Sequence, residues 1–421
     1  MRKIVCLMMM LGLAAEAQAG NIGVLTNHSV EYNQTFSRFV SHDIDAAFYN
    51  PGAISRLPEG LSLSLSNQVW QMQASIDYQE GTYEDSYLIP MYLSGIAAYR
   101  QDNWGLFLAF TPVGTSTSVA ASSDTVKGAH HPFLVALPDA IGLRADVSRY
   151  DVTVGGLLYG VDGGASIELT DWLAIGVGVR WNISRTKLDL DIEYEDGLIA
   201  INTLSEAKGD GLSPMVGATL GPFDGLELSM LYRGRAVVEN VFSTTRDEIA
   251  LGGVPLDAET LGDGRRWRRD MPAWLSFGAG YQVTPDIRIT MATEYFFFDE
   301  AVWEELLPTD PENPLNTLSD YENGTNSALG LELQYNEVID LGFGLQFTKT
   351  AAVPEARNEL EANTDKWTIS GGGNYAISDR TRAGIALVFA KFVDGQDAEE
   401  RYTYRGWLAG VVFGLTTEIP L

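Results

Sequence analysis

The sequence predicts an all-β protein: a fourteen-stranded antiparallel transmembrane β-barrel with an N-terminal hatch (plug) segment. Three observations predict this fold. Apolar and polar residues alternate in segments of about ten residues, the connectors between segments are alternately short and long, and a stretch before the first segment lacks the alternation. Together they indicate strands that face lipid on one side and a wet lumen on the other.

The alternation is clearest in residues 173–183, where every second residue is large and apolar: Leu173, Ile175, Val177, Val179, Trp181 and Ile183. The residues between them are small or polar. Segments 341–347 and 407–415 repeat the pattern. Because lipid offers the backbone no hydrogen bonds, strands can cross a bilayer only as a closed barrel.

Fourteen such segments are predicted, an even number as in bacterial single-chain barrels. The connectors after even-numbered segments are rich in Gly, Pro, Asn and Asp, which form tight turns; we expect these turns to face the periplasm and the longer polar connectors, including residues 111–150, to face outside. The segments begin near Leu61, Met91, Asn103, Asp151, Asp171, Gly211, Leu226, Met271, Asp286, Asn326, Val338, Lys366, Arg380 and Tyr402.

The N-terminus predicts a signal peptide over residues 1–19. Two basic residues precede an apolar run over residues 4–15, and residues 17–19, Ala-Gln-Ala, have the small residues of a cleavage site. The run is too short to span a bilayer. Cys6 is the only cysteine, so the mature chain is predicted to have no disulfide and no cysteine metal site.

Residues 20–60 are predicted to be a periplasmic hatch, and residues 61–421 the barrel. Fourteen strands enclose a lumen too wide for the side chains of the wall to fill. The 20–60 segment lacks strand alternation but carries several aromatic residues and Ile44, which favours a packed segment over a disordered tail. Plugging the lumen is the natural use for it.

The formal net charge of −28 disfavours nucleic acid as a partner. Much of this charge lies in long connectors such as residues 300–322, as expected of solvated loops. Composition alone also allows a soluble, secreted all-β protein. Aromatic residues at the strand ends, typical of the girdles at membrane interfaces, favour a barrel in the bacterial outer membrane.

Several stretches match motifs of one family. Residues 43–52 read DIDAAFYNPG, residues 270–281 read DMPAWLSFGAGY, and WGL at 104–106 is followed by TPVG at 111–114. In this order they resemble the hatch motif, a hairpin and the third strand of the outer-membrane long-chain fatty-acid and hydrocarbon transporters (FadL/TodX-like). The resemblance covers essentially the whole mature chain. Gly52 and Leu421 replace the family's usual Ala and terminal aromatic residue.

The resemblance implies a monomeric, hatch-closed barrel that passively takes up long-chain fatty acids or other hydrophobic compounds. It also implies release of the ligand sideways into the bilayer through a break in the third strand. Outer-membrane lipid, lipopolysaccharide and the barrel-assembly machinery are the other expected partners, and no cofactor is expected. The implied hatch and lateral-exit residues are Asp45, Phe48, Asn50, Pro51, Gly52, Pro112 and Gly114.

Four arginines are predicted to face the lumen, because their neighbours in the alternation face lipid: Arg180, Arg233, Arg235 and Arg288. In an apolar pocket such a cation would hold a carboxylate head group. Glu227, Glu294 and Glu332 point inward by the same rule, so the alternative is a set of lumenal salt bridges. In the second long loop, Phe133 and Leu134 belong to the most apolar stretch and are predicted to line a ligand-binding groove.

A basic cluster lies in a long loop of this acidic chain: Arg265, Arg266, Trp267, Arg268 and Arg269. We expect it to anchor the loop to lipopolysaccharide phosphates, with Trp267 in the outer aromatic belt. Attraction of acidic amphiphiles to the loop is the alternative.

No enzymatic activity is predicted. The mature chain has only four histidines, and neither a Gly-x-Ser-x-Gly elbow nor a metalloprotease motif occurs. The adjacent pair His130 and His131 is a poor metal site without further ligands, so no metal is expected. The rival functions are a hydrophilic diffusion porin, which a plugged lumen would oppose, and a surface adhesin or receptor.

Overall fold

The computed structural model describes residues 29–78, 81–122, 127–128, 146–256, 263–302, 321–357 and 363–420. The predicted signal peptide, residues 1–19, lies outside them. No helix within these residues is long and apolar enough to cross a membrane. The helices are α1 (Val30–Thr35), α2 (Ala46–Tyr49) and the 3-10 helices Pro51–Arg56, Glu195–Gly197, Phe298–Glu300 and Pro354–Ala356.

Twenty strands are described, all in one sheet. They are β1 (Gly60–Tyr78), β2 (Gly81–Ile89), β3 (Ser94–Gln101), β4 (Trp104–Ser122), β5 (Lys127–Gly128), β6 (Val147–Thr170), β7 (Leu173–Tyr194), β8 (Ile199–Phe223), β9 (Leu226–Arg233), β10 (Glu239–Leu251), β11 (Val254–Leu256), β12 (Arg266–Arg268), β13 (Ala273–Thr284), β14 (Ile287–Phe297), β15 (Gly324–Gln334), β16 (Ile339–Lys349), β17 (Lys366–Ser378), β18 (Thr381–Phe392), β19 (Gly395–Gln396) and β20 (Thr403–Ile419).

Fourteen of these strands form a closed antiparallel barrel, which confirms the predicted fold class. Each pairs with the next, and β20 returns to β1 in a register that runs from Leu61↔Ile419 to Asp77↔Thr403. Tight turns occur where the sequence predicts them, for example between β6 and β7. In order, the barrel strands are β1, β3, β4, β6, β7, β8, β9, β13, β14, β15, β16, β17, β18 and β20.

Three barrel strands are much longer than the sequence pattern predicts. β6, β7 and β8 have 24, 22 and 25 residues, whereas a tilted strand crosses a bilayer in about 9–11 residues. Their outer halves project on the long-loop side, where β10 pairs with β8. The predicted loop 111–150 is therefore wrong at both ends, because β4 continues to Ser122 and β6 begins at Val147. Strands beyond the bilayer face water, so they need no lipid-facing alternation.

Side-chain exposure follows the alternation within the bilayer-sized part of the barrel. On β7, Val179 and Trp181 are 45% and 46% exposed on the outer face, whereas Arg180 and Asn182 between them are buried in the lumen. Apolar side chains thus cover the outside, and polar ones face the interior, as strands between lipid and a lumen require.

The hatch, residues 29–57, lies inside the barrel and is almost entirely buried. Its α1 packs against β15–β18 and β20, whereas the 3-10 helix Pro51–Arg56 packs against β3, β4 and β6–β8. The rings of Tyr32 and Tyr49 stack at 4.9 Å between these two ends of the segment. The hatch therefore crosses the lumen from one wall to the other.

Inward-facing glycines of the wall make room for the hatch. A Cβ added at Gly176 would lie 2.4 Å from the carbonyl carbon of Pro51, and one at Gly278 would lie 2.5 Å from the Cβ of Phe39. Real carbon atoms do not approach so closely, so the wall needs glycine at these strand positions. The small lumen-facing residues in the sequence pattern are therefore part of the shape that fits the hatch.

We expect Gly176→Val to displace the hatch, because its side chain would occupy the position of the Pro51 backbone. In planar bilayers the unmodified protein should conduct ions weakly, and the variant should open. Gly163→Val on neighbouring β6 is the matched control, since no atom of the described residues lies within 4 Å of a Cβ added there. Large steady conductance of the unmodified protein, or a closed Gly176→Val barrel, would contradict this packing.

Candidate functional site

The most deeply buried charges form a cluster, here called the arginine cluster: Arg180, Asp162 and Arg233. They lie at inward positions of β7, β6 and β9, and all three are fully buried. Arg180 Nε donates to both carboxylate oxygens of Asp162 at 3.0 Å, and Arg233 Nη1 donates to Asp162 Oδ1. Two guanidinium groups against one carboxylate leave one net positive charge in the lumen.

The arginine cluster joins the hatch to β4. The ring of Phe48 contacts both guanidinium groups, 4.6 Å from Arg180 Cζ and 4.9 Å from Arg233 Cζ. Arg233 Nη2 also donates to the Phe48 carbonyl at 3.4 Å, and Arg180 Nη2 donates to Thr111 Oγ1 at 2.8 Å. Each cation–π contact is worth about 0.5–2 kcal/mol, so Phe48 is held firmly.

Two donors of the cluster remain unused. Arg180 Nη1 and Arg233 Nε are buried and have no hydrogen-bond partner in the described part of the chain. Together with the net positive charge they suit an acceptor group such as a carboxylate. The Phe48 ring contacts both guanidinium groups, so a carboxylate bound there would lie next to the hatch.

A second ionic network, the hatch latch, fixes the hatch at the short-turn end of the barrel. Arg38 of the hatch donates from Nε to Asp45 and from Nη1 to Glu332 of β15, each at 3.0 Å. Arg288 of β14 donates to Glu227 Oε2 at 2.6 Å and to Glu332 Oε2 at 3.3 Å. Arg288 therefore forms lumenal salt bridges to Glu227 and Glu332, which was the alternative to ligand binding. A polar pocket of about 290 Å³ opens beside this network.

Arg235 does not face the lumen, so the prediction for this residue is wrong. β9 ends at Arg233, and the Gly234 N–H donates to the Pro214 carbonyl at 2.8 Å. This bond ends the regular alternation one residue before Arg235. The Arg235 side chain is 40% exposed and donates to the carbonyl of Glu300.

The family resemblance implies that the Asn50-Pro51-Gly52 turn contacts the third barrel strand, whereas the described turn contacts β7 and β8. Asn50 Nδ2 donates to Thr219 Oγ1 of β8 at 2.6 Å, and its Oδ1 accepts from the Gly52 N–H at 3.3 Å. Contact with the third barrel strand, β4, is made instead by Ile54 against Gly105. The reason is that the 3-10 helix runs along the wall, so its start and end lie on different strands.

Pro112 and Gly114 lie at an interruption of the β4 ladder. The register with β6 passes from Pro112↔Tyr159 to Gly114↔Leu158, which leaves the residue between them as a bulge. Pairing of β4 with β3 ends at Phe110, and pairing of β3 with β1 ends at Ser94. Beyond these points, residues 111–122 pair with β6 alone in the described ladders.

The missing pairing leaves an interruption of the hydrogen-bonded ladder between β1–β2 and β4, here called the lateral window. Its lower edge is the start of β3, and its upper edge is the pairing of β2 with β5 at Tyr83↔Gly128. Thr111, which accepts the Arg180 hydrogen bond, lies at the lower corner of the window. The window is therefore next to the arginine cluster and the hatch.

An apolar groove of about 550 Å³ lies on the outer face just below the lateral window. Small residues of β3 form its floor, and larger side chains of the neighbouring strands form its sides: Leu63, Leu65, Gly95, Ala97, Leu108 and Phe110. Because this face of a barrel meets lipid, the groove suits an alkyl or aromatic group.

The basic cluster of the long loop is only partly as predicted. Trp267 is buried and packs on Phe242 at 5.8 Å, so its placement in the outer aromatic belt is wrong. The short strand β12 pairs with β10 at Asn240↔Trp267, and Asn240 is itself buried, so Trp267 faces inward. Arg266 is exposed and pairs with Glu239. Of the remaining predicted residues, Phe133 and Leu134 lie outside the described residues.

Sequence reasoning missed Asp162, Thr111 and Arg38. Asp162 stands in a run of glycines, residues 160–164, where the alternation gives no inside or outside. One signal was available: two inward arginines on nearby strands require a buried acid, because uncompensated buried charge is very costly. Asp162 is the only acidic residue of β6 between residues 152 and 167.

These features define a class of protein: a closed fourteen-stranded transmembrane barrel whose lumen is plugged by its own N-terminal segment. The strand pairing of its wall is incomplete on one side of β4. No family profile matches the sequence, and no curated protein sequence matches it.

Solved structures do share this fold. The toluene transporter TodX of Pseudomonas putida has 14% identity and a TM-score of 0.65, covering 94% of this chain and 99% of that one. A FadL homologue of Pseudomonas aeruginosa has 13% identity and a TM-score of 0.61, covering 92% and 97%. The Ralstonia pickettii toluene transporter TbuX has 14% identity and a TM-score of 0.56, covering 97% and 98%. The resemblance predicted from sequence is thus confirmed as a shared fold.

Asp162→Asn should destabilise the barrel by about 3–5 kcal/mol, because it leaves two buried guanidinium groups without their counter-charge. Urea unfolding in lipid vesicles measures this change. Asp151→Asn is the control, an exposed position on the same strand, and should change the stability by less than about 0.5 kcal/mol. Equal stability of Asp162→Asn and the unmodified protein would contradict the charge-balancing role.

The closed state of the hatch should weaken as the pH rises. Burial, with the nearby charges of Asp45 and Asp43, raises the pKa of Glu31 to about 7. A carboxyl group with a raised pKa favours folding while it is protonated, and this contribution is lost as the pH rises through about 7. Bilayer recordings should therefore find more open events at pH 8 than at pH 5, and Glu31→Gln should remove the difference. The opposite slope would contradict this assignment.

Proposed function

We propose that the protein is a passive channel of the bacterial outer membrane for hydrophobic compounds, with no enzymatic role. The observation that carries the proposal is the lateral window, which lies between a plugged lumen and an apolar groove on the lipid face. The structural neighbours support it, since they include a FadL homologue and toluene transporters. A buried alkyl group gains about 0.8 kcal/mol per CH₂ outside water, so release into the bilayer is favourable.

The proposed path runs from the long-loop side into the lumen, past the arginine cluster and out through the lateral window. The hatch blocks the direct route to the periplasm, because its residues are buried against the walls on both sides. For long-chain fatty acids, the unused donors of Arg180 and Arg233 are the proposed site for the carboxylate. For neutral hydrocarbons, the same path works without them.

A hydrophilic diffusion porin is the main rival, and the conductance of the unmodified protein tests it. A porin needs a water-filled lumen, whereas the described hatch fills this one. An adhesin or receptor would need the long loops alone and would not require the lateral window.

Lateral release is tested by removing the bulge of β4 beside the lateral window. Deleting the bulged residue Val113 and replacing Pro112→Thr should make the β4 ladder with β6 regular and restore the backbone N–H donor that Pro112 lacks. We expect several-fold slower uptake of a fluorescent fatty acid by cells, with normal surface levels. The control is Leu106→Val in the regular part of the same strand. Unchanged uptake by the variant without the bulge would remove lateral release from the proposal.

A further inference from the structure

Glu294 is a buried carboxyl group that neither the arginine cluster nor the hatch latch uses. It lies at an inward position of β14 and is 2% exposed. Its Oε2 accepts a hydrogen bond from Asn326 Nδ2 at 2.8 Å. Its Oε1 is buried without a hydrogen-bond partner, and none of the described ion pairs includes Glu294. An unpaired buried polar atom is costly, so something outside the described residues is needed to satisfy it.

Two more unpaired groups lie beside Glu294. Ser276 of β13 is directly opposite it in the register, is fully buried, and its Oγ has no partner within the described ranges. Opposite residues on one face have Cβ atoms about 4.5–5.5 Å apart. Trp274, the next inward residue of β13, is 1% exposed, and its indole Nε1 also lacks a described partner. We call Trp274, Ser276 and Glu294 the polar patch.

The polar patch lies where a ligand from outside would meet the hatch. Gly278, the next inward residue toward the short-turn end, is in contact with Phe39 of the hatch. Toward the long loops, Trp274 pairs with Phe296 in the register and stacks on Arg233, whose Cζ is 5.0 Å from its ring centre. The patch therefore has Phe296 and Arg233 on one side and the hatch on the other.

We propose that the polar patch binds the hydroxyl end of a hydrophobic compound, such as a long-chain alcohol or a phenol. A hydroxyl group both donates and accepts, so it can donate to Glu294 Oε1 while it accepts from Ser276 Oγ or Trp274 Nε1. When Glu294 is ionised, a carboxylate would bring a second negative charge against it. An alkane would leave every one of these atoms unpaired. This inference rests on the proposed transport of hydrophobic compounds and names a substrate class for it.

The test compares lauryl alcohol, laurate and dodecane, which share one chain length, on the full protein in lipid nanodiscs. Two hydrogen bonds at about 0.5–1.5 kcal/mol each predict that the alcohol binds roughly tenfold or more tightly than the alkane. Glu294→Leu and Ser276→Ala should each reduce this preference, because each removes one hydrogen-bond partner of the hydroxyl group. Thr290→Val is the control, a buried inward position of the same strand. Glu294→Gln should keep the alcohol preference over dodecane and improve laurate binding, because the charge is gone.

Equal affinities for lauryl alcohol and dodecane in the unmodified protein would overturn the inference, and so would an unchanged preference in both Glu294→Leu and Ser276→Ala. A crystal structure at saturating alcohol that contains only water at the polar patch would overturn it as well. In these cases dodecane binding would still support the proposed function. Failure of all three compounds to bind would count against that function itself.

Discussion

The whole structure depends on one constraint: in lipid, every backbone N–H and C=O group of a strand needs a partner strand. The constraint forces closure between β1 and β20, and a closed ring of fourteen strands has an interior too wide for its own side chains. The hatch fills that interior, and the wall adapts to it with glycines such as Gly176 and Gly278. At the lateral window, β4 lacks a described partner on one side over residues 111–122, and the arginine cluster lies beside it.

Charge holds the hatch as much as shape does. Breaking a buried ion pair from one side costs about 3–5 kcal/mol, although forming it from solvated groups gains little. Networks such as the arginine cluster therefore specify a position more than they add stability. The arginine cluster fixes Phe48 near β4, and the hatch latch fixes Arg38 near β15. The two networks hold neighbouring parts of the hatch, Arg38 and Asp45 in one and Phe48 in the other.

The sequence predicts the barrel well because alternation is a local property. The starts of β9 at Leu226 and β17 at Lys366 agree with it to the residue. The outer halves of β6, β7 and β8 were missed although β7 still alternates there, with Leu188, Leu190 and Ile192 buried between acidic residues, because the segments were expected to be only about ten residues long. The alternation correctly predicted that three arginines face the lumen: Arg180, Arg233 and Arg288. The same prediction was wrong for Arg235, because β9 ends two residues before it. The alternation also cannot identify the ion-pair partners of an inward residue. Asp162 is recognised as the partner of Arg180 and Arg233 only in the folded barrel, where β6, β7 and β9 lie close together.

The position of the hatch has a consequence for the order of assembly. Its α1 needs β15–β18 and β20, and its 3-10 helix needs β3, β4 and β6–β8. No partly built sheet offers both surfaces at the right separation, because they face each other only after the last strand meets the first. A segment that precedes every strand in the chain therefore completes its own contacts after all of them. Until ring closure, its aromatic residues have to be kept from aggregating by something other than the wall.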